Sequence, residues 1–456
     1  MNTSTKVDLE MNWRKPVYFS YASLRGYRFP SILGRYRRDY ERGCNRRTLN
    51  GALSELLQHC KTSVPYYAGL WEKQGVRHLH PDDPWHDLQR LPVLTKADIR
   101  NHAESLQSLD LHRRKWSYNT SGGSTGEPVR LIQDREYEDR CKALTLLYYS
   151  RLGYQLGQPI VCLWGSERDL ERTQSPKARF FNWLTNTIWL NAFCMSPERM
   201  HEFVKTLNRV RPSLILAYTQ SVYELAQFIE REGLSLQPQR VVVTTAGTLY
   251  PFMREKIAKV FGCRVYDQYG SREVSDIAFE IPGKEGLCVA PWGNFVEILD
   301  DQQKPVRPGE EGNIVVTCLT NYAMPLLRYW IGDRGALMPD QTPGGPSFQI
   351  LKHVSGRNMD MFKTRNQTLI DSQYFIHLLY FRPWVWKFQV VQRSHDKVLF
   401  RIVGPQPRPP RSELNDIIAK THLVMGAECD VDFEFPGELP PHPSGKFRYT
   451  ISEVGA

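Results

Sequence analysis

Between Met200 and Gly270 the chain alternates helical patterns with short apolar runs, and that alternation restricts the possible folds more than any other feature. Met200, Phe203, Val204, Leu207 and Val210 share one helix face, and the pattern stops before Arg211-Pro212. "SLILAY" follows as a short buried strand. "SVYELAQFIEREG" predicts a helix closed by Gly233, and "VVVTT" a strand ending in Ala246-Gly247. "YPFMREKIAKVFG" predicts a helix ending at Gly262, and "CRVYDQYG" a strand ending in a tight turn. Strands and helices in alternation, joined by short links, imply a largely parallel sheet covered by helices. Such sheets bind ligands beyond the carboxyl ends of their strands. "TTAGT" and "DQYGSRE" stand at two such ends and are candidate site segments.

The texture changes on either side. Leu49, Ala52, Leu53, Leu56, Leu57 and Cys60 form an apolar helix stripe, and Thr95 in "LPVLTKADIR" is an N-cap for the run after it. After Pro291, "NFVEILDDQQKPVRPGEEGNIVVTCL" has strands split by Asp, Gly and Pro turns, which predicts a β-rich subdomain. The last hundred or so residues read as strand, strand, helix, strand, an order that suits a small α+β unit. At 456 residues the chain has room for at least two domains.

Composition narrows the class. No apolar run reaches the roughly 18–20 residues that span a bilayer. The first residues, "MNTSTKVDLEMNWRKPVYF", hold no apolar core of a secretory signal. Nine cysteines are scattered without paired spacing, which suits reduced thiols and a cytoplasmic setting. Much of the net charge of +10 lies between Arg14 and Arg47, interleaved with Tyr and Phe. Such an arm suits an anionic membrane face or a nucleic acid, or it wraps the domain with aromatics inward and Arg outward. No nucleic-acid module follows it, so no nucleic-acid partner is expected.

One loop demands its own explanation. "YNTSGGSTGEPVRLI" places Ser121, Gly122, Gly123, Ser124, Thr125 and Gly126 in a row. Glycines let backbone N–H groups turn inward as an anion nest, and the hydroxyls add donors. The common nucleotide loop ends in Gly-Lys-Ser/Thr. This one ends Gly126-Glu127-Pro128, so any reacting lysine must come from elsewhere.

Five separated segments then fall in the order used by the adenylate-forming acyl ligases: "TSGGSTGEPV", "DQYGSREV", "LLRYWIGDRG", "SGRNMDM" and "SGKFR". Across roughly residues 50 to 450 the chain most resembles the phenylacetate–coenzyme A ligase branch and its relatives in capsule-synthesis clusters. The resemblance implies an α/β fold. A large N-terminal domain has helix-covered, mostly parallel sheets and a β-rich subdomain, and a small mobile α+β domain follows it. The expected divisions are a basic aromatic arm at 1–48, an ATP- and acid-binding adenylation domain at 49–355, and a C-terminal lid at 356–456, with the swivel near Asn358–Asp360.

The same resemblance assigns roles. Ser121 through Gly126 hold the outgoing phosphates, with Thr125 catalytic. Glu273 is catalytic and the Mg²⁺ ligand. Ala246, Gly247, Thr248, Gln268, Tyr269 and Gly270 line the adenine and acyl side. Asp333 accepts from the ribose hydroxyls, Arg357 reaches ribose or phosphate, and Lys446 is the catalytic lysine. Arg328 and Tyr329 are expected along the nucleotide wall. ATP, Mg²⁺ and coenzyme A are the implied cofactors. Some relatives in this branch carry a Cys/His metal cluster; the corresponding segments here, "FEIPGKEGLCVAPWG" and "ALMPDQTPGGPSFQI", hold only Cys288, so no zinc is expected.

The implied reaction activates a carboxylic acid as an acyl-adenylate and transfers it to coenzyme A. The alternative acceptor is an amine or a sugar in a secondary-metabolite or polysaccharide pathway. Trp164, Trp183, Trp189, Phe193 and Tyr218 are the expected walls of an aromatic-acid pocket. The remaining partner expectations are a monomer or homodimer, and peripheral association with a membrane or biosynthetic assembly through the basic arm. The chain departs from the family pattern at Gly122, where relatives often have Ser, and at Met359 in the hinge segment.

Overall fold

The computed structural model describes residues 12–43, 46–80, 82–120, 129–164, 175–192, 195–339, 349–357, 361–366, 369–371, 373–380, 382–404, 409–440 and 448–454. The chain divides into two compact units. One runs to Ile331 and includes Gly335–Val354; the other comprises Gly332–Arg334 and the chain from Ser355 onward.

The first unit is organised by a hairpin and a long sheet. The hairpin pairs β1 (Trp116–Thr120) with β2 (Arg130–Asp134), antiparallel. The sheet contains β3 (Ile160–Trp164), β4 (Thr187–Asn191), β5 (Leu214–Tyr218), β6 (Val241–Thr245), β7 (Arg264–Ser271), β8 (Ser275–Phe279), β9 (Leu287–Val289), β10 (Asn294–Leu299), β11 (Gly312–Cys318), β12 (Tyr329–Leu337) and β13 (Ile350–Arg357). Their spatial order is β10-β11-β12-β13-β9-β8-β7-β6-β5-β3-β4.

The pairs β3–β4, β3–β5, β5–β6 and β6–β7 are parallel. The pairs β7–β8, β8–β9, β9–β13 and β10–β11 are antiparallel. The β-rich stretch after Pro291 is therefore the antiparallel half of the same sheet. β7 is the seam between the halves, and its register shifts between Tyr269 and Gly270.

Local chemistry explains the parallel half. Val241, Val242 and Val243 are all buried, as expected for a strand covered on both faces. The helix Pro197–Val210 starts where the Ser196 side chain accepts from the Arg199 N–H. The helix Pro251–Phe261 ends at Gly262, whose φ is +61°. A β-carbon there would lie 3.2 Å from Pro238 Cβ, so both backbone sign and space favour glycine.

The principal core lies against the antiparallel half. Leu53, Leu56, Leu57 and Cys60 from the helix Arg46–Ser63 pack with Tyr67 and Trp71, and with Ile314, Val316 and Tyr329 from the sheet. The arm divides in two. The helix Phe29–Glu41 buries Phe29, Ile32, Leu33 and Tyr36 against Leu144, Leu147, Tyr148 and Trp292. Tyr36 stacks on Trp292 at 5.2 Å. Each such buried side chain contributes about 1.5–3 kcal/mol of transfer free energy, which holds this helix as part of the fold. The preceding helix, Arg14–Leu24, buries only Ala22.

The second unit holds the hairpin β14 (Met361–Lys363) and β15 (Leu369–Asp371), and a sheet of β16 (Lys387–Ser394), β17 (Lys397–Val403), β18 (Asp430–Glu434) and β19 (Thr450–Ser452). The sheet order is β18-β17-β16-β19. The helix Arg411–Met425 carries the crossover from β17 to parallel β18. Phe362, Phe375 and Phe400 form its centre, with ring centroids 4.7 and 6.1 Å apart. The fully buried Gln392 amide accepts from Lys363 N at 3.0 Å and donates to Lys363 O at 2.6 Å, tying the hairpin to the sheet.

Candidate active site

The carboxyl ends of the parallel strands bring the first group of residues together. β6 ends at Thr245, and Ala246 follows with φ +63°, a conformation that costs a non-glycine residue about 1–2 kcal/mol. Thr219 holds the turn: its hydroxyl lies 3.2 Å from Thr245 O and 3.1 Å from Gly247 O and donates to them. A β-carbon on Gly247 would stand 3.4 Å from Thr219 Cβ. At neighbouring strand ends Trp164 and Tyr218 approach to 4.6 Å, and Trp189 of β4 lies 6.3 Å from Trp164. These aromatics form one wall. Trp183 does not join them; it is exposed and pairs with Trp13 on the arm. Phe193 lies outside the described residues.

The end of β7 carries the second group. Gln268 is buried, with Tyr149 Oη donating to its carbonyl at 2.9 Å and its amide donating to Asp276 at 2.6 Å. It braces the strand from inside. Tyr269 packs half-buried on the principal core. Gly270 sits where a β-carbon would meet Ser275 O at 2.6 Å, so the seam with β8 requires glycine. Beneath them, Asp267 accepts from the Thr244 hydroxyl at 3.0 Å and its N–H donates to Glu280 at 2.8 Å. Burial, reinforced by the Glu280 charge, pushes the Asp267 carboxyl up to about 7.

Glu273 is the centre of the third group. It is only 6% exposed. Tyr329 Oη donates to its Oε1 at 3.4 Å, and Lys96 Nζ stands 3.8 Å from the same oxygen. Its Oε2 has no protein partner among the described residues.

Lys96 arrives by a specific route. Leu94 pairs in parallel with β12 through Leu94 N to Arg328 O and Trp330 N to Leu94 O, both 2.9 Å. Thr95 then caps the helix Lys96–Asn101 in a capping box with Asp98. The cap was legible in the sequence; the lysine beside it was not singled out, because its partner lies far away in the chain.

The carbonyl preceding Glu273 anchors the hairpin. Arg272 O accepts from Gln133 Nε2 at 3.0 Å and from Asn119 Nδ2 at 3.3 Å. Asn119 Nδ2 also donates to Gln133 Oε1 at 2.9 Å. Asn119 is on β1 and Gln133 on β2, so both stems of the turn are clasped to the residue before Glu273. Ser121, Gly122, Gly123, Ser124, Thr125 and Gly126 follow β1 in the sequence and lie outside the described residues. Thr120, the last described residue before them, pairs with Arg130 in the hairpin register.

Other expected site residues are placed separately. Asp333 lies half-buried on β12 within the second unit, and Arg357 ends β13 in that unit. The Arg357 side chain, Asn358–Asp360 and Lys446 lie outside the described residues. Arg328 corrects an expectation. It is 7% exposed and forms a two-pronged ion pair with Glu297, both contacts 3.1 Å. It also donates to Gln89 O at 3.1 Å and Leu91 O at 2.6 Å. A guanidinium with these partners is a structural bolt; Tyr329 is the one of the pair that contacts Glu273.

With this geometry in hand, similarity to known proteins becomes informative. Residues 362–453 match the CapK C-terminal domain family. The chain is 26% identical over 411 residues to the protein CapK of Staphylococcus aureus, covering 89% of this chain and 88% of that one. It is 24% identical over 449 residues to the phenylacetate–coenzyme A ligase of Thermus thermophilus, covering 88% and 94%. A crystal structure of 2-hydroxyisobutyryl-CoA ligase in the postadenylation state superposes with a TM-score of 0.69 at 18% identity, covering 89% of each chain. The chain has the fold of the adenylate-forming superfamily. It resembles the phenylacetate–coenzyme A ligase and CapK branch within it, and the small second unit coincides with the CapK C-terminal match.

Proposed function

We propose that this protein activates a carboxylic acid with ATP and passes the acyl group to the thiol of coenzyme A. In the first step a carboxylate oxygen attacks the α-phosphorus. The bond to the bridging oxygen breaks, and pyrophosphate leaves with its electron pair. In the second step the coenzyme A sulfur attacks the acyl carbon and AMP departs. The observation that supports this reading is the Asn119–Gln133–Arg272 clasp, which ties the two strands flanking the hydroxyl-rich segment of the sequence to the residue before a buried carboxylate with a lysine beside it.

Each residue has a chemical task in this reading. Amides and hydroxyls of Ser121–Gly126 hold the phosphates, where oriented donors stabilise developing charge best. Ala246, Gly247 and Thr248 lack bulk where the adenine and acyl group pass, and Tyr269 lies against the base. Asp333 accepts from the ribose hydroxyls, as an ionised carboxylate does well, with Arg357 on the same nucleotide. Lys446 bridges the α-phosphate and the substrate carboxylate. Glu273 fits a hard divalent cation, since Mg²⁺ prefers a carboxylate with phosphate oxygens and water, and Oε2 is unengaged by described protein groups. When bound, Mg²⁺ would neutralise phosphate charge. Lys96, 3.8 Å from Oε1, adds positive charge beside the carboxylate that would hold the ion. The aromatic wall of Trp164, Trp189 and Tyr218 favours an acid with a ring.

The test is ATP–pyrophosphate exchange over a panel of aromatic and aliphatic carboxylic acids, repeated with Lys446→Ala. Exchange with one chemical class, abolished in the variant, is the expected result. No exchange with any acid would refute adenylation. Hydroxylamine trapping with and without coenzyme A then reads the acceptor. Adenylate that turns over only with an amine would replace the thiol step.

A further inference from the structure

The helix Arg14–Leu24 presents an apolar face to solvent. Trp13 is 47% exposed, Val17 46% and Leu24 87%, and their spacings of four and seven put them on one side. The helix Pro176–Thr185 continues that face with Phe180 and Trp183, each about half exposed. Trp13 and Trp183 stand 5.8 Å apart, Phe180 and Trp183 5.9 Å, and the Arg14 guanidinium lies 5.1 and 5.3 Å from the two indole rings. Tyr27, three residues after Leu24, adds an exposed ring with Arg135 over it at 3.9 Å. Six of the twelve large apolar side chains exposed among the described residues are on this face, so the exposure is concentrated rather than scattered.

Charge identifies the occupant. Neither helix carries an acidic residue, whereas Arg14, Arg25, Lys177 and Arg179 flank the rings. Tryptophan and phenylalanine among lysine and arginine, on a helix face with no acids, are the chemistry of a bilayer interface. The rings sit at the headgroup level and the cations meet lipid phosphate. No described helix is long and apolar enough to cross a membrane, so the contact is with one leaflet. The next helix, Phe29–Glu41, buries its own apolar residues in the core and anchors the exposed helix to the body.

We propose that this face docks the protein on an anionic phospholipid bilayer, with Trp13, Leu24, Phe180 and Trp183 entering the headgroup boundary. The experiment is sedimentation of the full chain with vesicles of phosphatidylcholine alone, and of phosphatidylcholine with phosphatidylglycerol, at low and high salt. Binding should be confined to the anionic vesicles, accompanied by a blue shift of tryptophan emission, and lost as salt screens the charges. Lys177→Ala and Arg179→Ala should each weaken it about fivefold. Leu24→Asp should weaken it further with an unchanged unfolding midpoint, because the side chain is almost wholly exposed. Failure to bind anionic vesicles at low salt would overturn the proposal, as would binding that Leu24→Asp and the cation variants leave unaltered. A dimer in solution that Leu24→Asp dissociates, without vesicle binding, would overturn it in favour of a second copy of this chain.

Discussion

At Glu273, burial, a lysine and a tyrosine hydroxyl meet on one oxygen. Lys96 orients that carboxylate and adds positive charge near it, so its loss should be felt in chemistry more than in folding. Lys96→Ala is expected to lower the exchange rate about 10- to 100-fold, the scale of removing one preorganised charge from a transition state. The unfolding midpoint should change little, and Lys96→Arg should recover part of the rate. Steady-state exchange at saturating ATP checks this; a variant with the full rate would exclude Lys96 from the site.

Asp267 makes a prediction of a different kind. Its folded carboxyl titrates at about 7, against 3.8 for the unperturbed group, because burial and Glu280 disfavour its charge. Between those values the folded protein holds a proton that the unfolded chain has released. Its contribution therefore lowers stability as pH rises through that window, and levels off above it. Asp267→Asn should remove the slope. Denaturant midpoints of wild type and variant should converge towards pH about 4, with the variant the more stable above pH about 7. Parallel curves at all pH values would contradict the assignment.

Secondary-structure elements show what the sequence could and could not disclose. The parallel half was legible because each of its helices and strands carries its own period and its own stop. Val241–Val243 is a continuous apolar run, and the helix before β7 ends at a glycine with positive φ. The union of the parallel and β-rich stretches was not legible. It depends on β7 pairing with β8 on its far edge, a register set by Gly270 against the Ser275 carbonyl rather than by any local pattern. Arg328 was misread for a similar reason: its partners Glu297, Gln89 and Leu91 are distant in the chain. The hairpin clasp lies between these cases. Asn119 and Gln133 flank the small-residue turn, but only the fold reveals that both face Arg272 O. Gln133→Ala should leave the strands paired through their backbone and loosen the stems from the carboxylate. The expected outcome is a rise of about tenfold or more in KM for ATP with a smaller change in kcat, since misplaced binding groups chiefly weaken ground-state and transition-state binding together. An unchanged KM would show that the turn is positioned without the clasp.

At the scale of the whole molecule, the proposed reaction divides its groups between two compact units. Glu273, Lys96, Tyr269 and the Ala246–Gly247 turn are in the first, whereas Asp333, Arg357 and Lys446 belong to the second. If Lys446 serves only the first half-reaction, the two steps can be separated chemically. Lys446→Ala should be silent in ATP–pyrophosphate exchange, losing about 100-fold or more in rate, because an ammonium bridging two oxygens acts only while the mixed anhydride forms. Supplied with a presynthesised acyl-adenylate and coenzyme A, the same variant should form thioester at close to the wild-type rate. The Lys96→Ala variant provides the contrast: it resides in the unit that holds Glu273 and should retain Lys446 chemistry at reduced rate. A Lys446→Ala protein deficient in both half-reactions would mean that the second unit contributes to thioester formation through the same residue. One proficient in both would remove Lys446 from the mechanism.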